Sequence, residues 1–142
     1  MSLNPISRAA AEWPAFVVAL AGANLPTEDL DGADQHFFAL AAAPAFGGYF
    51  IAGPDALLRS VVAPPSARGR GLGRAMVTAL LQQLENQGVE RVWLLTTTAG
   101  PFFERLGFAV ADRGSAPSAI AATPQFRGVC PGTATFMCRH LT

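Results

Sequence analysis

The chain reads as an α/β domain organised around a parallel pair of strands, and three stretches carry that reading. Residues 56–62 (ALLRSVV) are an apolar run of strand length. From Gly71 to about Gln87, Leu72, Ala75, Met76, Ala79, Leu80 and Leu84 recur at helical spacing on one side, while Arg74, Gln82, Glu85 and Asn86 fall largely on the other. Residues 89–97 (VERVWLLTT) are a second strand. A strand, a helix and a strand in this order make a right-handed crossover with parallel strands.

The other elements follow in order. Residues 6–10 are expected to form a first short strand. Residues 12–23 predict a helix with Phe16, Val17, Leu20 and Ala21 on one face, stopped by Asn24, Leu25 and Pro26. Thr27 is placed to cap a short turn, with Glu28 and Asp29 suited to a helix N-terminus. Residues 37–42 and 48–52 read as a hairpin, and Gly53-Pro54-Asp55 as the turn that leads into residues 56–62. Residues 63–66 (APPS) break the chain before the glycine-rich stretch, and Gly88 sits where a left-handed helix cap belongs. Residues 99–106 predict a short helix ended by Gly107, and residues 108–111 another strand. Residues 115–131 are loop-like with a helical turn near 119–122, and residues 133–139 alternate as a last strand. No repeat or low-complexity linker interrupts the series, so residues 1–142 are expected to form one domain.

Composition excludes several classes. The 142 residues suffice for one sizeable core. Ten basic residues balance ten acidic ones, which argues against a nucleic-acid partner held by phosphate neutralisation. Hydrophobic residues make up 51% and charged ones 14%, a globular composition that also leaves a covered face, such as that of a homodimer, as an expectation. Cys130 and Cys138 have no CxxC spacing, and His36 and His140 lie far apart, so no metal site is expected. Residues 37–54 carry no charge, but Pro44, Gly47 and Gly48 divide them into pieces suited to short strands, not a membrane helix. No basic region followed by an apolar run opens the chain, and the reading is a soluble, cytoplasmic protein.

The most informative segment spans residues 61–74. Gly69, Gly71 and Gly73 lie where a strand meets a helix. Glycine lets backbone approach a ligand closely, and the unbonded N–H groups of a helix start, with the helix dipole, make an anion site. Arg68, Arg70 and Arg74 add positive charge. The loop lacks the Gly-Lys-Ser/Thr ending of a nucleotide-binding P-loop. It also lacks the third glycine of a dinucleotide fingerprint, where Arg74 stands, and the following strand ends in threonines instead of an acidic residue.

The stretch VVAPPSARGRGLGRAMV resembles the acetyl-coenzyme A binding motif of the GCN5-related N-acetyltransferases. That motif is an Arg or Gln, two residues, Gly, one residue, then Gly or Ala; here it falls on Arg68, Gly71 and Gly73. The run Phe102-Phe103-Glu104-Arg105-Leu106-Gly107-Phe108 resembles the short helix ending in Leu-Gly-Phe that follows the family's second central strand. Two motifs in the right order about thirty residues apart are more specific than either alone. The resemblance covers roughly residues 45–113. It implies a mixed sheet of about six or seven strands, flanked by helices, whose central parallel strands splay apart. It implies acetyl-coenzyme A as cosubstrate, its pantetheine arm beside Val61, Val62 and Ala63, and its pyrophosphate on the backbone of Arg68, Gly69, Arg70, Gly71, Leu72, Gly73 and Arg74. An edge exposed by splaying offers unpaired N–H and C=O groups, which agrees on physical grounds. More narrowly, LLRSVVAP, LLTTTAGPFFERLGF and PSAIAATPQFRGVCP look like the arsenic-resistance N-acetyltransferases, whose relatives acetylate glutamate-like amino acids containing phosphorus or arsenic. The threonine run before a Phe-Phe helix is also similar to the acetyltransferase domain of N-acetylglutamate synthases.

These resemblances assign roles residue by residue. The Val62 amide is expected to polarise the thioester carbonyl. Many members of the family protonate the leaving thiolate with a tyrosine where this chain has Phe103; the chain's one tyrosine, Tyr49, lies in an earlier strand. Phe102 and Phe103 either pack on pantetheine or belong to the core. Arg59 sits within an apolar strand, and alternation puts it on a face with Leu57 and Val61. Its partner is a substrate carboxylate, an internal ion pair or solvent at an exposed edge. Thr96 and Thr97, with Thr98, close the second strand where the splay opens, and either bond substrate or suit a strand end. Arg127 and Cys130 lie in a loop expected to cover the site. His36, Glu104 and a relayed water are the alternatives for a base.

Three functions fit the phosphate loop. One is an N-acetyltransferase for a small amine substrate such as an acidic amino acid or its toxic analogue. The second acts on peptide N-termini or lysines, and the third binds acetyl-coenzyme A without catalysis.

Overall fold

The computed structural model describes residues 2–27, 30, 34–41, 43–64, 67, 69–129 and 134–141. Their strands form a seven-stranded sheet in the order β1-β2-β3-β4-β5-β7-β6. The strands are β1 (Leu3–Ile6), β2 (Gln35–Leu40), β3 (Phe46–Ala52), β4 (Asp55–Val62), β5 (Arg91–Thr96), β6 (Ala109–Val110) and β7 (Thr135–His140). Only β4 and β5 pair in parallel; every other neighbouring pair is antiparallel. The expected mixed sheet with a central parallel pair is therefore present.

Helix α2 (Leu72–Asn86) makes the crossover and lays Leu72, Met76, Val77, Leu80, Leu81 and Leu84 on one face of the sheet. Ala75 and Ala79, expected on that side, are half-buried at its margin. Gly88 ends the element at φ +86°. Helix α3 (Gly100–Arg105) joins the same face through Phe103. The opposite face carries two smaller clusters. One packs Trp13, Phe16, Ala19 and Leu20 of α1 (Trp13–Gly22) on Phe37, Phe46 and Val62. The other gathers Leu57, Trp93 and Phe136 under Ile120 of α4 (Ser118–Ala121). Burying both sheet faces makes these apolar runs continuous instead of alternating.

Several expectations change. The first strand is Leu3–Ile6, not 6–10, because Ala10 N–H bonds Ser7 O and Trp13 N–H bonds Ala10 O, which turns the chain into α1. Pro5 is tolerated there because β1 is an edge strand. On α1 the buried face includes Trp13 and Ala19, whereas Ala21 is exposed and Val17 half-buried. The strand at 108–111 shortens to two residues. The long loop contains the turns Arg113–Ser115 and Gln125–Val129 as well as α4. Asp55, read as part of a turn, is the first residue of β4 and buried. The turn assigned to Thr27, Glu28 and Asp29 falls partly outside the described residues.

Candidate active site

The site starts from a fault in β4. Gly48 of β3 pairs with Arg59, but Phe46 pairs with Val62, so two steps along β3 face three along β4. This is a β-bulge, and Ser60 adopts the left-handed region at φ +59°. The extra residue reverses the alternation. Val61 packs with the α2 cluster and Val62 with the α1 cluster, while Arg59 lies over the Phe37 ring of that same α1 cluster. Arg59 therefore shares its face with Leu57 and Val62, not with Val61 as strict alternation implied.

On the other side of β4 the parallel pairing is brief. It joins Asp55 to Arg91, Ala56 to Val92 and Leu57 to Trp93, and goes no further. Beyond those pairs the two strands diverge toward Val62 and Thr96. This is the expected splay, and it leaves residues 58–62 of β4 without a β5 partner. The closed end is clasped by Asp55, 5% exposed, which accepts from Arg91 Nε at 2.8 Å, Arg91 Nη2 at 3.1 Å and Trp93 Nε1 at 2.9 Å. Its hydrogen bonds and negative charge raise the Arg91 pKa further.

A cleft of about 560 Å³ occupies the open end. One wall is the end of β4 from Leu58 to Val62 with Ala63 after it, and facing it are Leu94, Leu95, Thr96, Thr97 and Thr98. Gly69, Gly71, Leu72, Gly73 and Arg74 close one end with Phe102 and Phe103. Gly71 is the N-cap of α2 at φ +71° and Gly69 lies at φ +81°. Such backbone is strained for any residue with a Cβ, and glycine supplies no side chain to cap the helix. A Cβ built on either would meet nothing within 4 Å, so the space beside them is open. A positive helix end facing open space, next to the splayed strand, fits a diphosphate with an extended arm.

Thirteen of the expected site residues line this one cleft: Arg59, Val61, Val62, Ala63, Gly69, Gly71, Leu72, Gly73, Arg74, Thr96, Thr97, Phe102 and Phe103. Arg70 is exposed and off the wall. Arg68 and Cys130 lie outside the described residues. Phe103 belongs to the core, edge-on to Phe102 and Phe108 at 5.0 and 5.7 Å, while also reaching the wall. Phe102 seats α3 against the start of α2: a Cβ on Gly73 would lie 3.4 Å from its ring. The Thr96 hydroxyl accepts the Ala99 N–H at 3.0 Å, which opens α3.

Other candidates are elsewhere. Tyr49 Oη accepts from Gln83 Nε2 at 2.7 Å and Gln87 Nε2 at 3.0 Å, and is off the cleft wall. His36, Glu104 and Arg127 are exposed and also off the wall. Cys138 is half-buried, and burial pushes its thiol up to about 11. Among the described residues no cluster of three His, Cys, Asp or Glu suits a metal, and no helix is long and apolar enough to cross a membrane.

Sequence reading missed part of the wall. Asn24, Leu25 and Pro26 at the end of α1, Ser60 at the bulge and Ala134 before β7 all line the cleft. Asn24, at φ +57°, carries a recognisable helix-stop signal, but nothing local says that the stop borders a site.

The sequence profile of the acetyltransferase (GNAT) family matches residues 17–108. The chain belongs to that family, a class of enzymes that transfer an acetyl group from acetyl-coenzyme A. No curated protein matches it by sequence. Among solved structures it is similar to N-acetylglutamate synthase from Neisseria gonorrhoeae complexed with coenzyme A and N-acetyl-glutamate, at TM-score 0.76 and 13% identity, covering 100% of this chain and 36% of that one. It thus spans about a third of that protein's length. It is also similar to a GNAT-family acetyltransferase from Staphylococcus aureus (TM-score 0.74, 15% identity, 99% and 100% covered). A third likeness is to the ribosomal-protein-S18-alanine N-acetyltransferase from Escherichia coli (TM-score 0.66, 20% identity, 99% and 94% covered). At these identities the likeness is one of fold.

Proposed function

We propose that this chain acetylates the amino group of a small amino acid bearing a second acidic group, or of its phosphorus or arsenic analogue, by direct transfer from acetyl-coenzyme A. The observation that carries the reading is Arg59. It is 4% exposed, lies on the cleft wall, and is held beside the bulge three residues from Val62. A guanidinium there matches a carboxylate with two parallel bonds. The N-acetylglutamate synthase complexed with coenzyme A and N-acetyl-glutamate supports the same substrate class.

When bound, acetyl-coenzyme A supplies a thioester whose thiolate is a good leaving group. The residues of this chain do the rest. Backbone amides at residues 69–74, with Arg74 on the cleft wall adding charge, hold the pyrophosphate at the α2 N-terminus. The open edge at Val61, Val62 and Ala63 aligns the arm, and the Val62 N–H polarises the acetyl carbonyl. Arg59 anchors the acceptor carboxylate, with Thr96 and Thr97 on the opposite wall, so the amine sits next to the carbonyl carbon. Proximity supplies much of the rate. Phe103 stands where other members place a tyrosine, so water takes the proton that the attacking amine loses and supplies the one that the departing thiolate gains as the C–S bond breaks.

Coenzyme A release, followed with a thiol reagent, tests this. The panel contains phosphinothricin, arsinothricin, glutamate, neutral amino acids, polyamines and short peptides. Turnover confined to the acidic amino acids and analogues is expected. Turnover on peptides alone, or on nothing while acetyl-coenzyme A still binds, sinks the reading.

A further inference from the structure

We infer that Gln35 is a positioning residue that aims Arg59 and thereby sets selectivity for an acidic acceptor; the inference rests on the acceptor reading above. Gln35 opens β2, two strands away from Arg59, and does not line the cleft. Its Oε1 nevertheless accepts from Arg59 Nη1 at 3.2 Å, while Arg59 Nε donates to Ser60 Oγ at 3.0 Å. The guanidinium carbon lies 5.3 Å from the Phe37 ring centroid.

The sheet register explains this reach. Phe37, Gly48 and Arg59 are successive register partners across β2, β3 and β4. A Cβ on Gly48 would run into His36 O and the Phe37 ring, so the missing side chain lets Phe37 close over β3. Arg59 extends across that gap, and Gln35, two residues from Phe37 on the same face of β2, meets its far end. A planar guanidinium bonded through Nε and Nη1 to two different strands has a defined plane. An amide oxygen sets that plane without adding a charge of its own, so Gln35 orients the group without competing as an anion for the acceptor.

The test uses Gln35→Met, which keeps length and removes the oxygen, and Gln35→Glu, which places a carboxylate beside the guanidinium. Acceptor KM and kcat are measured at saturating acetyl-coenzyme A, and acetyl-coenzyme A affinity by calorimetry. In parallel the Arg59 Nε–H signal is followed in ¹⁵N-labelled protein, assigned by its loss in Arg59→Lys. Gln35→Met is expected to broaden that signal and raise acceptor KM about tenfold, the worth of one hydrogen bond to a charged group, with acetyl-coenzyme A affinity unchanged. Gln35→Glu is expected to keep the signal and raise KM for acidic acceptors at least as much. A sharp signal and wild-type KM in Gln35→Met overturn the inference, as does an equal loss of acetyl-coenzyme A affinity, which would mean general distortion. If the wild type acetylates no acidic acceptor, the function proposed above falls separately, and the Arg59 signal alone decides the positioning role.

Discussion

Asp55 and Arg91 are register partners at the closed end of β4 and β5, and their side chains form a two-bond ion pair at 2.8 and 3.1 Å. The same carboxylate accepts the Trp93 indole N–H at 2.9 Å, and Trp93 stacks on Phe136 at 5.0 Å. One buried acid thus ties β4, β5 and, through the ring stack, β7 together where the two parallel strands still touch.

Replacing Asp55 with Ala strands the Trp93 N–H in a buried position. A buried donor without a partner costs about 1–3 kcal/mol. Urea unfolding of Asp55→Ala should show a lower midpoint with an unchanged slope, and a wild-type midpoint would mean that the clasp adds nothing.

Gly71→Ala tests the proposed diphosphate site. The Cβ meets no atom, so the cost comes from φ +71° and from the methyl group now standing in the space assigned to the diphosphate in the proposed function. The left-handed conformation costs about 1–2 kcal/mol for a residue with a Cβ. Acetyl-coenzyme A affinity should fall by about tenfold or more, since 1.4 kcal/mol is tenfold. Calorimetric titration returning the wild-type affinity would remove the helix start from the binding site.

Arg59→Lys keeps the charge and loses the fork. A hydrogen bond to a charged group is worth about 1.5–3 kcal/mol, so acceptor KM should rise about ten- to a hundredfold while acetyl-coenzyme A affinity holds. Equal kinetics with acidic and neutral acceptors in both wild type and variant would take Arg59 out of acceptor binding.

Cys138 should resist thiol reagents at neutral pH, because burial has moved its thiol from 9.0 to about 11. The raised value has a consequence for stability as well. The folded protein holds this proton more tightly than the unfolded chain, so the contribution is complete below pH 9 and is lost as pH rises through 11. Mass mapping after iodoacetamide at pH 7.5 checks the first point; rapid labelling of Cys138 there would contradict it. Urea midpoints between pH 8.5 and 11 check the second.

The crossover and the glycine-rich loop were legible because their signals are local. The apolar spacing of α2 and the glycines at positions 69, 71 and 73 each act within a few residues of themselves, so neighbours along the chain predict them. The Leu-Gly-Phe end of α3 is equally local: Gly107 takes φ +93°, its N–H bonds Glu104 O at 3.0 Å, and the Phe108 N–H bonds Phe103 O at 3.1 Å.

By itself, then, the sequence determined the strand–helix–strand unit and the glycine-rich start of its helix. The tertiary structure decided the rest. Ser60 becomes a bulge because β3 and β4 pair out of step, and that slip, invisible in any alternation of residue types, moves Val62 instead of Val61 to the face of Arg59. Asp55 becomes a buried clasp only when Arg91 and Trp93 arrive from a strand 36 and 38 residues away. Gln35 meets Arg59 from two strands away, across β3 where Gly48 leaves room for the Phe37 ring. Each depends on which strands lie side by side, and strand pairing is a property of the folded chain, not of any short stretch of it.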